Sequence, residues 1–411
     1  MKTVGLIVEY NPLHNGHKLH FSLAKKKTGA DACVAVMSGN FLQRGEPAIV
    51  SKWARTEMAL RLGVDLVIEL PTLFATSNAE LFAHGAVSLL DRIGVVDTLC
   101  FGSESGDISW MKQAAQLLAH ETPEFSHLLK AGLRDGLPYP KAYAEAAHMY
   151  LADRGIHGTT LDQPNNILGF NYLLSLARLN SKIVPVTIQR QKAGYHQETI
   201  TDEQIASATA LRKILTDKQQ SVATVASYVP KTTIDVLQRE WNSGLCPMSW
   251  EDFVHPVFHR LLQLTPQKLA AYHEIEEGME YRLLESVRRS KTVAEVITSA
   301  KSKRYTQNRI QRMLLNVLLD VTKEQISTFN LRHGASYARV LGFSQKGREL
   351  LQQAKQKSAI PLYTNVRDGL HPMLDIDIRS NALYRLAHPT CIEQPFLEEY
   401  RRIPLQITPE Q

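Results

Sequence analysis

The feature that most restricts the fold of this chain is an alternation in its first hundred residues: short apolar runs take turns with capped helical patterns. Val4–Val8, Cys33–Val36, Leu66–Leu70 and Thr98–Phe101 are near-continuous apolar runs bounded by turn or helix signals. Runs of this kind suit parallel strands covered on both faces. Between them, the stretch from Ser51 to Gly63 opens on an N-cap residue and stops at a glycine, and Asn78 to Ile93, followed by Gly94, does the same. The alternation predicts an α/β fold on a doubly wound parallel sheet with right-handed crossovers.

A helical insertion near 108–153, broken by Pro138 and Pro140, interrupts the pattern. It then resumes, with a helix over Asn165–Arg178, a strand over Ile183–Ile188 and a small helix starting near Ser207. Beyond about Pro230 the pattern is mainly helical, including Tyr305–Val321, with a short extended piece near Ala335–Phe343. A chain of 411 residues exceeds one ordinary domain. The expected division is an α/β domain over 1–230 and a mainly helical C-terminal domain over 231–411.

Hydrophobic residues make up 44% of the chain and charged residues 21%, which excludes a disordered class. No stretch is long and apolar enough to span a membrane, and the first apolar run leads into Glu9 without a small-residue cleavage site. Cys33, Cys100, Cys246 and Cys391 are far apart and form no Cys-x-x-Cys pair. They read as ordinary buried thiols in a reducing, cytoplasmic setting. The net charge of +6 is unevenly placed. Residues 1–230 carry 22 basic against 21 acidic groups, 231–280 carry 4 against 8, 281–357 carry 16 against 5, and 358–411 carry 5 against 7. The surplus lies in 281–357, where Lys301, Lys303, Arg304, Arg309 and Arg312 cluster. This is the footprint expected for a polyanion, with a solvated helical face as the alternative.

Chemistry is concentrated in Asn11-Pro12-Leu13-His14-Asn15-Gly16-His17, directly after the first strand. The carboxyl edge of a parallel sheet, where strand gives way to helix, is where α/β proteins bind ligands. Gly16 lets a phosphate approach the main chain, and the following helix aims free N–H groups and its positive end there. His14 and His17 can then donate to phosphate oxygens as charge builds at a five-coordinate phosphorus. His14, His17 and His20 could instead hold a metal or serve structure, but no carboxylate or cysteine joins them nearby, and no metal site is expected. Downstream, Ala206-Ser207-Ala208-Thr209-Ala210-Leu211-Arg212 opens a late helix. Ser207 can cap it, and Arg212 supplies a cation for a leaving pyrophosphate.

Asn-Pro-x-His-x-Gly-His after a first strand resembles the His-x-Gly-His motif of the nucleotidylyltransferase superfamily. Ser207, Thr209 and Arg212 match that superfamily's Ile-Ser-Ser-Thr-x-x-Arg motif, with alanine at its first and third positions. A narrower resemblance rests on the run from Met37 to Ala48, on Ser51–Arg55, on Phe101-Gly102-Ser103-Glu104 and on Pro164–Gly169. These segments are similar to the bacterial tRNA(Met) cytidine acetate ligase family. The resemblance implies a ligase that forms acetyl-adenylate and pyrophosphate from acetate and ATP, ATP entering with Mg2+. It then acetylates N4 of the wobble cytidine of elongator tRNA(Met). It implies ATP contacts from Ile7, Val8, Glu9, Tyr10, Asn11, Pro12, Leu13, His14, Asn15, Gly16, His17, Lys18, Leu19 and His20, with Gly102, Asn165 and Arg190. It also implies that 1–230 is catalytic and that the C-terminal domain holds the tRNA; neither a membrane nor an obligate protein partner is expected.

The residues bear on parts of this. Gly102 follows a strand and fits beneath an adenine or ribose. Asn165 could simply cap a helix, and Arg190 could pair with a surface acid. Ser38 and Gly39 follow the second strand, where Gly39 leaves room for a small acid, and Lys52 or Arg55 could attract its carboxylate or be solvated helix charges. An adenylyltransferase acting on a small phosphorylated cofactor precursor would need no +11 segment. An inactive RNA-binding relative would have no use for an intact His14, Gly16 and His17.

Overall fold

The computed structural model describes residues 1–411 apart from 121, 138, 157–162, 190–205, 218, 389–393, 395 and 409–411. The apolar runs form β1 (Thr3–Val8), β2 (Ala32–Ser38), β3 (Leu66–Leu70), β4 (Thr98–Ser103) and β5 (Val184–Gln189). They lie in the order β5-β4-β1-β2-β3, all parallel. The crossover helices α1 (Asn15–Thr28), α2 (Lys52–Leu62), α3 (Thr72–Ala75) and α4 (Ala79–Arg92) follow in chain order. Ser51 caps α2 by accepting from Ala54 N–H, and Asn78 caps α4 by accepting from Leu81 N–H. Both are the sites that the sequence pattern selects.

Strand order reverses between β1 and β4: β2 and β3 continue on one side of β1, β4 and β5 on the other. The crevice at the carboxyl ends of those two strands is thus the switch point of the sheet. One apolar core joins α4 and the helix Pro164–Arg178 to the sheet and continues into the helical region; the other joins α1 and α2 to the opposite face. The insertion is helical, over Ser109–Leu118, Pro123–Arg134 and Tyr139–Ala152.

The expected division at 230 does not describe the sheet. After helices that include Lys231–Asn242, Met279–Arg289 and Gln307–Leu318, the chain returns to it. β6 (Ala338–Phe343) pairs antiparallel with β3, while β7 (Leu362–Tyr363) and β8 (Leu405–Gln406) pair with β6. The extended piece near Ala335–Phe343 is thus a fully buried strand of the α/β unit.

A buried ionic cluster fastens this return. Lys52 Nζ lies 2.8 Å from Glu69 Oε1 and 2.9 Å from Glu399 Oε2. Arg339 on β6 lies 3.4 Å from Glu69 Oε2 and also pairs with Glu399. Trp53 Nε1–H donates to Glu399 Oε1 at 3.0 Å.

Candidate active site

Strand β1 ends in a turn whose Tyr10 has φ +50, and His14 then caps α1. Gly16 N–H donates to His14 Nδ1 at 3.0 Å, and His14 N–H donates to His17 Nδ1 at 3.3 Å. The capping box normally built from Ser and Glu is built here from two imidazoles. Because Nδ1 of each ring accepts a main-chain N–H, the neutral rings carry their proton on Nε2. Both histidines are thereby set as Nε2–H donors. Their rings stack with centroids 3.8 Å apart, and Tyr10 meets His17 edge-on at 5.0 Å.

Opposite, Ser207 caps the helix Ala208–Thr216, its Oγ accepting from Ala210 N–H at 3.1 Å. Arg212 on this helix donates to the Asn11 carbonyl at 3.0 Å and to Thr209 Oγ1 at 3.3 Å, and it pairs with Glu46. The two motifs, nearly two hundred residues apart in sequence, meet directly through that guanidinium.

They share a cleft of about 290 Å³ at the switch point. Ile7, Val8, Glu9, Tyr10, Asn11, His14, Gly16, His17, Leu19, His20, Gly102, Asn165, Ser207, Thr209 and Arg212 line it. Pro12 and Leu13 are buried beside it and Lys18 is exposed. Asn15 is turned to the Ser227 carbonyl at 2.9 Å. Arg190 lies outside the described residues. The cleft lining combines an apolar group, Phe101, Leu168, Tyr172 and Ile188, with a polar one, Arg44, Glu46 and Arg212. This combination suits a nucleobase against the apolar group and phosphates against the polar one. Among the described residues, no group of three His, Cys, Asp or Glu side chains could hold a metal ion.

Two neighbouring groups set the shape of the edge. Arg55, fully buried, donates to the carbonyls of Glu9 at 2.7 Å, Ser38 at 3.0 Å and Val50 at 3.2 Å, and to that of Gly39. It thus ties the ends of β1 and β2 to the start of α2, and burial pushes it down to about 10. Burial raises the Glu9 carboxyl above its usual range, while Gln43 N–H, donating at 2.8 Å, draws it back.

Three sequence expectations change. The acetate pocket at Ser38, Gly39 and Lys52 is closed: Ser38 and Lys52 are buried, and a Cβ on Gly39 would lie 2.8 Å from Glu69 Oε1. The Lys52 charge is taken by Glu69 and Glu399. Asn165 is not a cap. Its N–H and Nδ2 donate to Glu104 Oε1 at 3.0 and 2.6 Å, and Asn166 N–H to Oε2 at 2.7 Å, so Glu104 satisfies that helix end. The basic cluster is partly neutralised: Arg304, Arg309 and Arg312 pair with Glu277, Glu276 and Glu274 at 2.6, 3.5 and 3.1 Å. Arg312 is only 12% exposed and leaves the surface, whereas Lys301, Lys303 and Arg304 remain exposed.

Sequence reasoning missed Leu23, Arg44, Glu46, Phe101, Leu168, Tyr172, Ile188 and Gln189 as lining. Arg44, Glu46, Phe101 and Leu168 sit inside segments singled out above, but no spacing rule marks a loop acid as reaching a cleft.

Comparison with known proteins identifies the family and the fold. Residues 1–398 match the family model described as HIGH Nucleotidyl Transferase. The tRNA(Met) cytidine acetate ligase of Acetivibrio thermocellus is 43% identical over 397 residues, covering 94% of this chain and 95% of that one. The protein of the same name from Anoxybacillus flavithermus is 42% identical over 410 residues, covering 99% and 100%. The crystal structure of Thermotoga maritima TmcAL bound with alpha-thio ATP superposes with a TM-score of 0.89 at 33% identity, covering 99% and 100%. The apo form of that protein gives 0.92.

Proposed function

The chain belongs to the HIGH nucleotidyl transferase family and, within it, to the tRNA(Met) cytidine acetate ligases, and from that premise we propose that it joins acetate to ATP and acetylates N4 of the wobble cytidine of elongator tRNA(Met). The observation that carries this reading is the pair of histidines, both locked as Nε2–H donors at the start of α1, sharing one cleft with Ser207, Thr209 and Arg212.

ATP enters as its magnesium salt, the ion counted with the substrate. Its adenine packs against the apolar lining of Phe101, Leu168, Tyr172 and Ile188, over Gly102. An acetate oxygen attacks the α-phosphorus while the bond to the bridging oxygen of the β-phosphate breaks. Charge then grows on the α-phosphoryl oxygens, where His14 and His17 donate, and on the departing pyrophosphate, which Arg212 and Thr209 hold. The acetyl-adenylate next meets the cytidine amine. A new C–N bond forms at the acetyl carbon, AMP leaves, and N4 loses a proton to solvent.

Acetate-dependent exchange of labelled pyrophosphate into ATP, run without tRNA, tests the first step. Exchange that saturates with acetate is expected; exchange indifferent to any carboxylic acid would overturn the reading.

For the tRNA, the reading assigns the exposed Lys301, Lys303 and Arg304 to phosphate contacts. Replacing Lys301 and Lys303 by Glu is expected to weaken tRNA binding and flatten its log–log salt dependence by about one to two units. Pyrophosphate exchange should persist. Unchanged affinity and slope would move the RNA surface elsewhere.

A further inference from the structure

The loop between β2 and α2 places Glu46 in the nucleotide cleft, and that placement is fixed by the fold. Leu42 N–H donates to the Glu46 carbonyl at 3.0 Å and Gly45 N–H to the Leu42 carbonyl at 2.8 Å, closing a tight turn. Gly45 has φ +76, and a Cβ there would lie 2.6 Å from the Arg312 main-chain nitrogen and 2.8 Å from the Gln311 carbonyl carbon. The turn is therefore seated on the main chain of the Gln307–Leu318 helix, where only glycine fits. The main chain of Glu46 is thereby held at the edge of the cleft.

From that seat Glu46 Oε1 reaches to 3.3 Å from Arg212 Nη2, with the side chains 24% and 20% exposed. The same guanidinium is held by the Asn11 carbonyl and Thr209 Oγ1. A carboxylate beside the groups assigned to pyrophosphate is at first sight out of place, because it repels the ligand they bind. Its effect differs between the two halves of the cycle. Before ATP arrives it keeps Arg212 extended over the turn that carries the histidines. After the α–β bond breaks it competes with pyrophosphate for that cation. Holding a product as tightly as the transition state adds nothing to the rate, and release often limits turnover.

We infer that Glu46 is a positioning residue, a resident counter-ion that orients Arg212 and loosens its hold on pyrophosphate. The inference rests on the acetate ligase reading for the identity of the leaving group. Glu46→Gln keeps the size of the side chain and an oxygen facing Arg212 but removes the charge. Inorganic pyrophosphate binding is measured by displacement of a fluorescent ATP analogue, which reads weak and tight binding alike. Glu46→Gln is expected to bind pyrophosphate about five-fold more tightly, the order associated with a partly exposed ion pair. KM for ATP and kcat for tRNA acetylation should fall together. In an Arg212→Ala background the same change should bring no gain. Unchanged or weaker pyrophosphate binding in Glu46→Gln would overturn the inference, as would an equal gain in both backgrounds, which would mean plain repulsion without Arg212. A wild-type enzyme lacking acetate-dependent exchange would instead reject the ligase reading, and the pyrophosphate measurements would still decide the role of Glu46.

Discussion

Replacing His17 by alanine lowers the rate of acetyl-adenylate formation by about 10²-fold or more, the loss expected when one transition-state donor is removed. His17 Nδ1 is committed to His14 N–H, so its chemical contribution comes from Nε2–H alone. ATP affinity should change far less, since the apolar wall and Arg212 remain. A stability loss of about 1 kcal/mol should accompany the change, because His17 is half of the cap of α1. Single-turnover rates at saturating acetate, set beside calorimetric ATP binding, separate these effects. Near-normal exchange in the variant would remove His17 from the chemistry.

The second large effect concerns stability. Glu399 is fully buried against Lys52, Arg339 and Trp53 and holds the C-terminal segment to the sheet. Glu399→Ala leaves two buried cations with Glu69 as their one remaining ion-pair partner among the described residues, and breaking a buried pair in this way costs about 3–5 kcal/mol. Urea unfolding should show a lower midpoint at nearly constant slope. A loss below about 1 kcal/mol would mean that water reaches the cluster. The pH dependence has a definite sign. Burial pushes the Glu399 carboxyl up, but Lys52 and Arg339 outweigh burial and bring it from 4.5 down to about 2. A carboxylate lowered in the folded state stabilises fully above its unfolded value, and that contribution is lost as pH falls from about 4.5 toward 2. The variant should therefore lose less stability than the parent over that range.

Much of the fold was legible because β1 to β5 and α1 to α4 are specified locally, by apolar runs and by caps such as Ser51 and Asn78. What was illegible depends on partners distant in sequence. Ala338–Phe343 read as extended, but nothing in its own residues names β3 as its neighbour. Lys52 looked like a helix charge open to a carboxylate, because Glu69 and Glu399 lie far away along the chain. The charge count by segment left out the pairing: the acidic segment 231–280 folds against the basic one, so Glu274, Glu276 and Glu277 pair with three of the five cations that composition singled out. The His14–His17 turn was readable because it is contiguous. Arg212 was placed only because a motif marked it, and Glu46 joined the site through a seat on a helix that no local pattern reveals.

Attack at the α-phosphate of ATP, coupled to acetyl transfer onto tRNA, dictates which products leave the enzyme. Those products can be counted in one reaction with labelled acetate, ATP and elongator tRNA(Met). One AMP and one pyrophosphate are expected for each N4-acetylcytidine formed at the wobble position, and no product without acetate. Release of ADP and phosphate in step with acetylation would contradict attack at the α-phosphate.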